Sequence, residues 1–285
     1  MKTYLDCVPC FVRQALDAAR MAGGGPAVEE QLLREVLRRA AELDMAECPP
    51  RFAQHIHRTL RRLSNNPDPY AAVKKQFNGM ILGMLPELRA RVRGAADPFD
   101  TAVRLAVTGN IIDFGPNGSL VEKNVLEAVA RALTEPLHGD MRAFRRAVED
   151  AGNILYLGDN TGEIVFDRLL VEELLPKPVT FAVRGAPILN DATLEDAAEV
   201  GLAGLVRVIG NGSDAPGTLL DECSPEFCEA FRAADLVIAK GQGNFETLCD
   251  EPAPVWFLFK AKCPVVAEHA GVPLGTHILA RTPEG

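Results

Sequence analysis

The chain has 285 residues, enough for a sizeable core arranged as one large domain or two smaller ones. With 47% hydrophobic and 24% charged residues, and no apolar run approaching the length of a membrane span, its composition excludes the disordered and membrane-spanning classes. A net charge of −9 argues against nucleic acid as the main partner, because binding a phosphate backbone relies on a basic footprint.

The first ten residues carry Asp6, Cys7 and Cys10 where a secretory leader needs an apolar centre, so a cytoplasmic protein is expected. Seven cysteines without such a leader indicate reduced thiols, not a disulfide framework. Cys7-x-x-Cys10 is open to three readings: half a zinc site completed by Cys48, His55 or His57, a redox pair, or two small thiols packed at a helix start. No second CxxC completes the usual spacing, and packing is the default.

Apolar residues at helical spacing mark a run of helices. The first carries Phe11, Val12, Ala15, Leu16 and Ala19 and ends at Gly23-Gly24-Gly25; the next two carry Val28, Leu32, Val36 and Leu37, then Phe52, Ile56, Leu60 and Leu63. Asn65-Asn66-Pro67-Asp68-Pro69 breaks the pattern, and Pro69 suits the first turn of a helix running towards Leu88. Further helices are predicted at 102–107, stopping at Gly109-Asn110, and at 121–133 and 141–151. Between Arg51 and Arg93 cations outnumber acids, and a solvated helical face is the expected cause, with an anion-attracting wall as the alternative.

From Asn153 the pattern changes. Strands predicted at 154–157, 179–183, 205–209, 236–239, 255–259 and 265–267 alternate with helices at 165–175, 194–200, 226–234 and 245–248, which is the signature of βαβ units. The expected architecture is a mainly helical portion, residues 1–150, packed on a Rossmann-like, mostly parallel three-layer α/β domain, residues 151–285.

In such a sheet, ligands bind beyond the carboxyl ends of the strands. After the strand at 154–157 comes Gly158-Asp159-Asn160-Thr161-Gly162-Glu163, which opens a helix. A helix cap needs one of these residues, not the whole run between glycines. After the next strand, Arg184-Gly185 leads to Asn190-Asp191-Ala192-Thr193, repeating the amide and carboxylate chemistry. Gly210 to Gly217, with Ser213 and Asp214, is either an anion-binding loop or a plain turn. After the strand at 236–239, Lys240-Gly241-Gln242-Gly243-Asn244 offers an ammonium suited to a phosphate. Hard oxygen donors without an obligatory thiolate or imidazole suit Mg²⁺ or Mn²⁺, with positions left for water and phosphate. The chemistry these residues predict is phosphate monoester hydrolysis by metal-activated water.

Taken together, the segments 158–163, 184–193 and 240–246 resemble the damage-control phosphatases, and most closely the stand-alone prokaryotic branch with an N-terminal CxxC. The resemblance covers essentially the whole chain. It implies a metal-dependent phosphatase of small phosphorylated metabolites, including sugar phosphates, with Mn²⁺ or Mg²⁺ and with Co²⁺ or Ni²⁺ as further options. It also implies metal ligands at Asp159, Asn160 and Asp191, and a phosphate-facing lysine at Lys240. Thr161, Gly162, Glu163, Arg184, Asn190, Ser213, Asp214, Gly241 and Asn244 are expected to line the substrate site. Asn110 and Asp113 are assigned a substrate or supporting role, although Gly109-Asn110 is equally a helix end. His269 and His277 are left between lining a site and structural duty.

Three other readings compete. A haloacid-dehalogenase-like phosphatase needs a second acid where Thr161 stands. A carboxyl methyltransferase using S-adenosylmethionine would want a glycine-rich turn where Asp159 stands, and an acid where the second strand ends in Arg184. An anion-binding protein without catalysis is the third.

Overall fold

Along the central strands, successive residues enter opposite cores. In β2 (Ile154–Leu157), Ile154 and Tyr156 join one apolar cluster while Leu155 and Leu157 join another. The same alternation separates Leu236 and Ile238 from Val237 and Ala239 in β5 (Leu236–Lys240), and Trp256 and Leu258 from Phe257 and Phe259 in β6 (Val255–Lys260). Strands apolar on both faces must be covered on both, which dictates a three-layer arrangement.

The structure, a computed structural model, describes residues 1–109 and 122–282. Among these, seven strands form one sheet in the order β1-β7-β6-β5-β2-β3-β4, with β1 at Leu137–His138, β3 at Val179–Val183, β4 at Arg207–Gly210 and β7 at His277–Arg281. All neighbours are parallel except β6 and β7. The sheet departs from β2 in both directions, towards β3 and β4 on one side and β5 and β6 on the other, so the switch in strand order lies between β2 and β5.

Helices α1 (Cys7–Met21), α2 (Gly25–Ala41) and α3 (Pro49–Ser64) share a separate core built on Phe11, Leu32, Phe52 and Ile56. Helices α4 (Ala71–Arg93), α5 (Pro98–Gly109), α6 (Glu122–Ala132) and α7 (Met141–Asp150) instead contribute to the core on one face of the sheet, with α8 (Glu163–Leu174) and α9 (Leu194–Glu199). The opposite face is covered by α10 (Pro225–Ala233), α11 (Gln242–Leu248) and α12 (Pro264–His269). The change in secondary structure near residue 150 is therefore crossed by one continuous core, which joins Val103 and Phe144 to Tyr156 and Trp256.

Two sequence expectations are corrected here. Residues 265–267 lie in α12, because Cys263 is extended and Pro264 holds the first helical position, where its fixed φ starts a helix. The cations between Arg51 and Arg93 are not simply a solvated face. Arg51 pairs with Asp221 and Glu222, Arg58 and Arg61 with Asp214, Lys74 with Asp68 and Asp196, and Arg89 with Glu172. They fasten α3 and α4 to the acidic loops and helices of the sheet portion. No described helix is long and apolar enough to cross a membrane.

Candidate metal and phosphate site

Asp159 sits two residues beyond the end of β2, at the switch point. The chain after β3 is zipped onto it: Ala192 N donates to the Asp159 carbonyl at 2.7 Å, Thr161 N donates to the Asn190 carbonyl at 2.8 Å, and Asn160 and Asp191 form an antiparallel bridge. These two main-chain hydrogen bonds, which make the bridge, thus carry Asp191, from the segment after β3, to the turn that holds Asp159 and Asn160.

Arg184, one residue past β3, locks the two acids. Its Nε donates to Asp191 Oδ2 at 2.6 Å and its Nη2 to Asp159 Oδ1 at 3.0 Å, while Nη1 reaches Asn244 Oδ1 and the Gly217 carbonyl. The Asn160 amide nitrogen donates to Asp159 Oδ2 at 2.7 Å and to Glu163 Oε2 at 3.0 Å. With the nitrogen committed to two carboxylates, the amide oxygen is the atom left to meet a cation.

Behind this layer lies a second one. Lys240 is wholly buried, and its ammonium donates to Glu163 Oε1 and Asp167 Oδ1, both at 2.6 Å, and to the Ala106 carbonyl at 2.7 Å. Tyr156 donates its hydroxyl to the same Asp167 oxygen at 2.8 Å. All three ammonium protons are placed, so the expectation of a phosphate-facing Lys240 is corrected: here it anchors Glu163, which orients Asn160.

The electrostatics follow from burial. Asp159, Asp191, Glu163 and Asp167 are four buried carboxyl groups set against two buried cations, Arg184 and Lys240. Burial, then Asp191 and Glu163, push the Asp159 carboxyl well above the usual carboxylate range despite Arg184 and Lys240. Burial raises Asp191 as well, with Arg184 opposing. Asp167 is pushed up to about 7, by burial first, while Lys240 pulls it down and Glu163 pushes it up. A cluster that presents two carboxylates and an amide oxygen, with more acids than cations among the described residues, has the donor set that suits a divalent cation.

Glycine is required at Gly241, whose φ is +79°: a Cβ there would lie 1.9 Å from Asp159 Oδ2. Gly241→Ala is therefore expected to displace the Asp159 carboxylate and to cost about 1–3 kcal/mol of stability for the forced backbone. Thermal unfolding and metal titration of the variant check this, and unchanged metal affinity would contradict it. At Gly162, φ +73°, the N–H instead donates at 2.8 Å to Oδ1 of Asn78, a buried residue of α4.

The other expected site residues divide. Thr161, Glu163, Arg184 and Asn244 converge here, but as buried positioning groups; Asn190 contributes its carbonyl. Asn244 also donates to the Lys240 carbonyl and accepts from Thr218. Of the two readings of the loop at 210–217, the hydrogen bonds favour the plain turn: Asn211 Oδ1 takes the N–H groups of Ser213 and Gly185, and Ser213 Oγ takes that of Ala215. Asp214 is held by Arg58, Arg61 and Gln54. Asn110 and Asp113 lie outside the described residues. His277 is buried in β7, 3.7 Å from Glu135, and His269 lies at the far end of α12. His55 contacts Arg39, and buried His57 stacks near Tyr70, so neither joins Cys7 and Cys10.

Asn78 and Asp167 went unread in the sequence. The signals were an amide among the apolar residues Phe77, Ile81 and Leu85 of α4, and an acid one helical turn after Glu163. Beside Arg184, a cavity of about 530 Å³ opens between α4 and the segment after β3, lined by Lys74, Lys75, Gly185, Thr193 and Asp196.

The fold and site define an open α/β protein with a buried cluster of oxygen donors at its topological switch point. Residues 3–278 match the family model for the damage-control phosphatase ARMT1-like domain, and the chain belongs to that family. It is 35% identical to a damage-control phosphatase of Pyrococcus horikoshii (99% of this chain, 98% of that one) and 34% identical to one of Archaeoglobus fulgidus (96% and 97%). An uncharacterised protein of Methanocaldococcus jannaschii is 34% identical (99% and 96%). The crystal structure of a DUF89 family protein from Pyrococcus horikoshii superposes with a TM-score of 0.91 at 33% identity, covering 99% of this chain and 100% of that one.

Proposed function

We propose that this protein is a phosphatase that hydrolyses phosphate monoesters of small metabolites with a divalent metal held by Asp159, Asn160 and Asp191. The observation that carries the reading is the buried oxygen-donor cluster at the switch point, in which acids outnumber cations among the described residues. The names of the curated relatives point to the same activity.

A cation bound there supplies polarisation of a phosphoryl oxygen and a more acidic bound water. The chain's own residues do the positioning. Arg184 holds both carboxylates at a fixed separation, Glu163 keeps the Asn160 amide nitrogen turned inward, and Lys240 keeps Glu163 in place. The cavity beside Arg184 falls in the size range of small-molecule pockets, and Lys75 gives its rim a cation. Covalent catalysis by Asp159 is disfavoured, because Thr161 stands where a second acid would serve. A nucleotide-type site is disfavoured because β3 ends in Arg184, committed to two carboxylates.

The test is phosphate release from a panel of sugar phosphates and related monoesters, using chelated protein and protein restored with Mg²⁺, Mn²⁺, Co²⁺ or Ni²⁺. Release that disappears on chelation and returns with metal is expected. Turnover undiminished in the chelated protein would overturn the metal, and no release with any metal would overturn the phosphatase.

A further inference from the structure

At the opposite end of α11 from Gly241, a second set of ligand atoms converges that the phosphatase reading does not use. Cys249 caps α11, Asp250 follows it, and His269 is the last residue of α12. One ligand atom from each lies within 4.8 Å of the others, the only such His, Cys, Asp or Glu group among the described residues. The two helix ends are brought together by the core that buries Leu248, Val266 and Ala267, and the His269 ring is set edge-on to Phe245 at 5.8 Å.

The geometry fits a cation. The Cys249 Sγ to His269 Nε2 distance is 3.7 Å. A zinc ion at ~2.3 Å from sulfur and ~2.0 Å from nitrogen spans a tetrahedral edge of about 3.6 Å. Cys249, Asp250 and His269 thus bring sulfur, carboxylate oxygen and imidazole nitrogen within reach of one ion.

We propose that Cys249, Asp250 and His269 form a second metal site, selective for Zn²⁺ over Mg²⁺, that clamps α11 to α12. One thiolate, one imidazole and one carboxylate form a borderline donor set, unlike the all-oxygen set at Asp159. Water fills the fourth position. Binding deprotonates Cys249, so metal uptake releases a proton and strengthens as pH rises. The site is separate from the phosphate site, because the seven residues of α11 hold the two about 10 Å apart along the helix axis. Its effect is on rigidity: α11 begins at the turn that carries Lys240, Gly241 and Asn244.

The experiment is a Co²⁺ titration of the metal-free full chain, followed by thiolate-to-cobalt charge-transfer absorption. Zn²⁺ competition and thermal unfolding accompany it. The charge-transfer band is expected in the unaltered protein and in Asp159→Asn, and is lost in Cys249→Ser, with Zn²⁺ affinity weakened on the order of 100-fold in His269→Ala. Zn²⁺ is expected to raise the unfolding temperature of the unaltered protein but not of Cys249→Ser. Matching metal-free unfolding temperatures would show that the variant still folds. A band that persists in Cys249→Ser would overturn the proposal in favour of other thiols, and Co²⁺ binding without any thiolate band would overturn it outright.

Discussion

Lys240→Met is expected to destabilise the protein by about 3–5 kcal/mol at neutral pH, because it strands Glu163 and Asp167 as buried carboxylates without their cation. All three groups are wholly or almost wholly buried, so solvent screening does not weaken the pairing. The sign of the pH dependence follows from the groups involved. Burial lowers the lysine, but Asp167 and Glu163 outweigh it and leave the ammonium above its ordinary 10.5, so its stabilising contribution is fully present at neutral pH and is lost only above that value. Asp167 is raised from 3.8 to about 7, so its ionisation in the folded state costs stability as pH climbs through that window. Without Lys240, Asp167 takes up its proton at still higher pH. The deficit of the variant should therefore be largest above pH 7 and shrink towards pH 5. Chemical denaturation of both proteins across that range measures it. A variant as stable as the parent but inactive would restore Lys240 to the phosphate-facing role expected from the sequence.

The second large effect is at Asp159 and Asp191. Asp159→Asn and Asp191→Asn keep the shape of the side chain and remove one metal-binding charge. If the cation lowers the barrier by several kcal/mol, losing it reduces the rate by about 10²–10³-fold or more. Stability moves the other way in Asp159→Asn. Burial, Asp191 and Glu163 hold the Asp159 carboxyl well above its ordinary 3.8, so ionising it costs the folded state stability as pH rises above that value. Removing that charge is expected to leave the metal-free variant at least as stable as the parent at neutral pH, while it no longer gains stability from added metal. Unfolding temperatures with and without Mn²⁺, beside phosphate release, check both halves. Wild-type turnover in either variant would move the site elsewhere.

This opposition of stability and activity is what a cation site built in advance of its cation should show. The turn after β2 places like charges together, Arg184 neutralises part of them, and the remainder is an unfavourable charge in the metal-free fold.

Much of this was legible from the residues alone, for local reasons. The apolar run from Ile154 to Leu157, stopped by Gly158 and followed by a helical pattern, specifies strand, turn and helix within one short segment, so the position of Asp159 and Asn160 beyond a strand end needs no distant information. Asn190-Asp191 before the capping box at Thr193 is equally local. The directions of the longer polar side chains were not legible. Lys240 follows its strand in sequence, yet whether its ammonium meets a substrate or Glu163 and Asp167 depends on α8 and on the Ala106 carbonyl of α5 being packed beneath it. Arg184, Asp214 and the cations of α3 and α4 are the same case: flexible side chains with distant partners, Arg184 meeting Asp159 25 residues away and Arg51 meeting Asp221 170 residues away. The edge strand β1 and its neighbour β7 escaped too, since two residues such as Leu137 and His138 carry no period and pair only because a neighbouring strand is there. Sequence by itself determined which residues end strands and open helices, because backbone preference and hydrophobic period act over a few residues. Tertiary structure alone decided which charges meet, because burial and pairing arise only when distant elements close on one another.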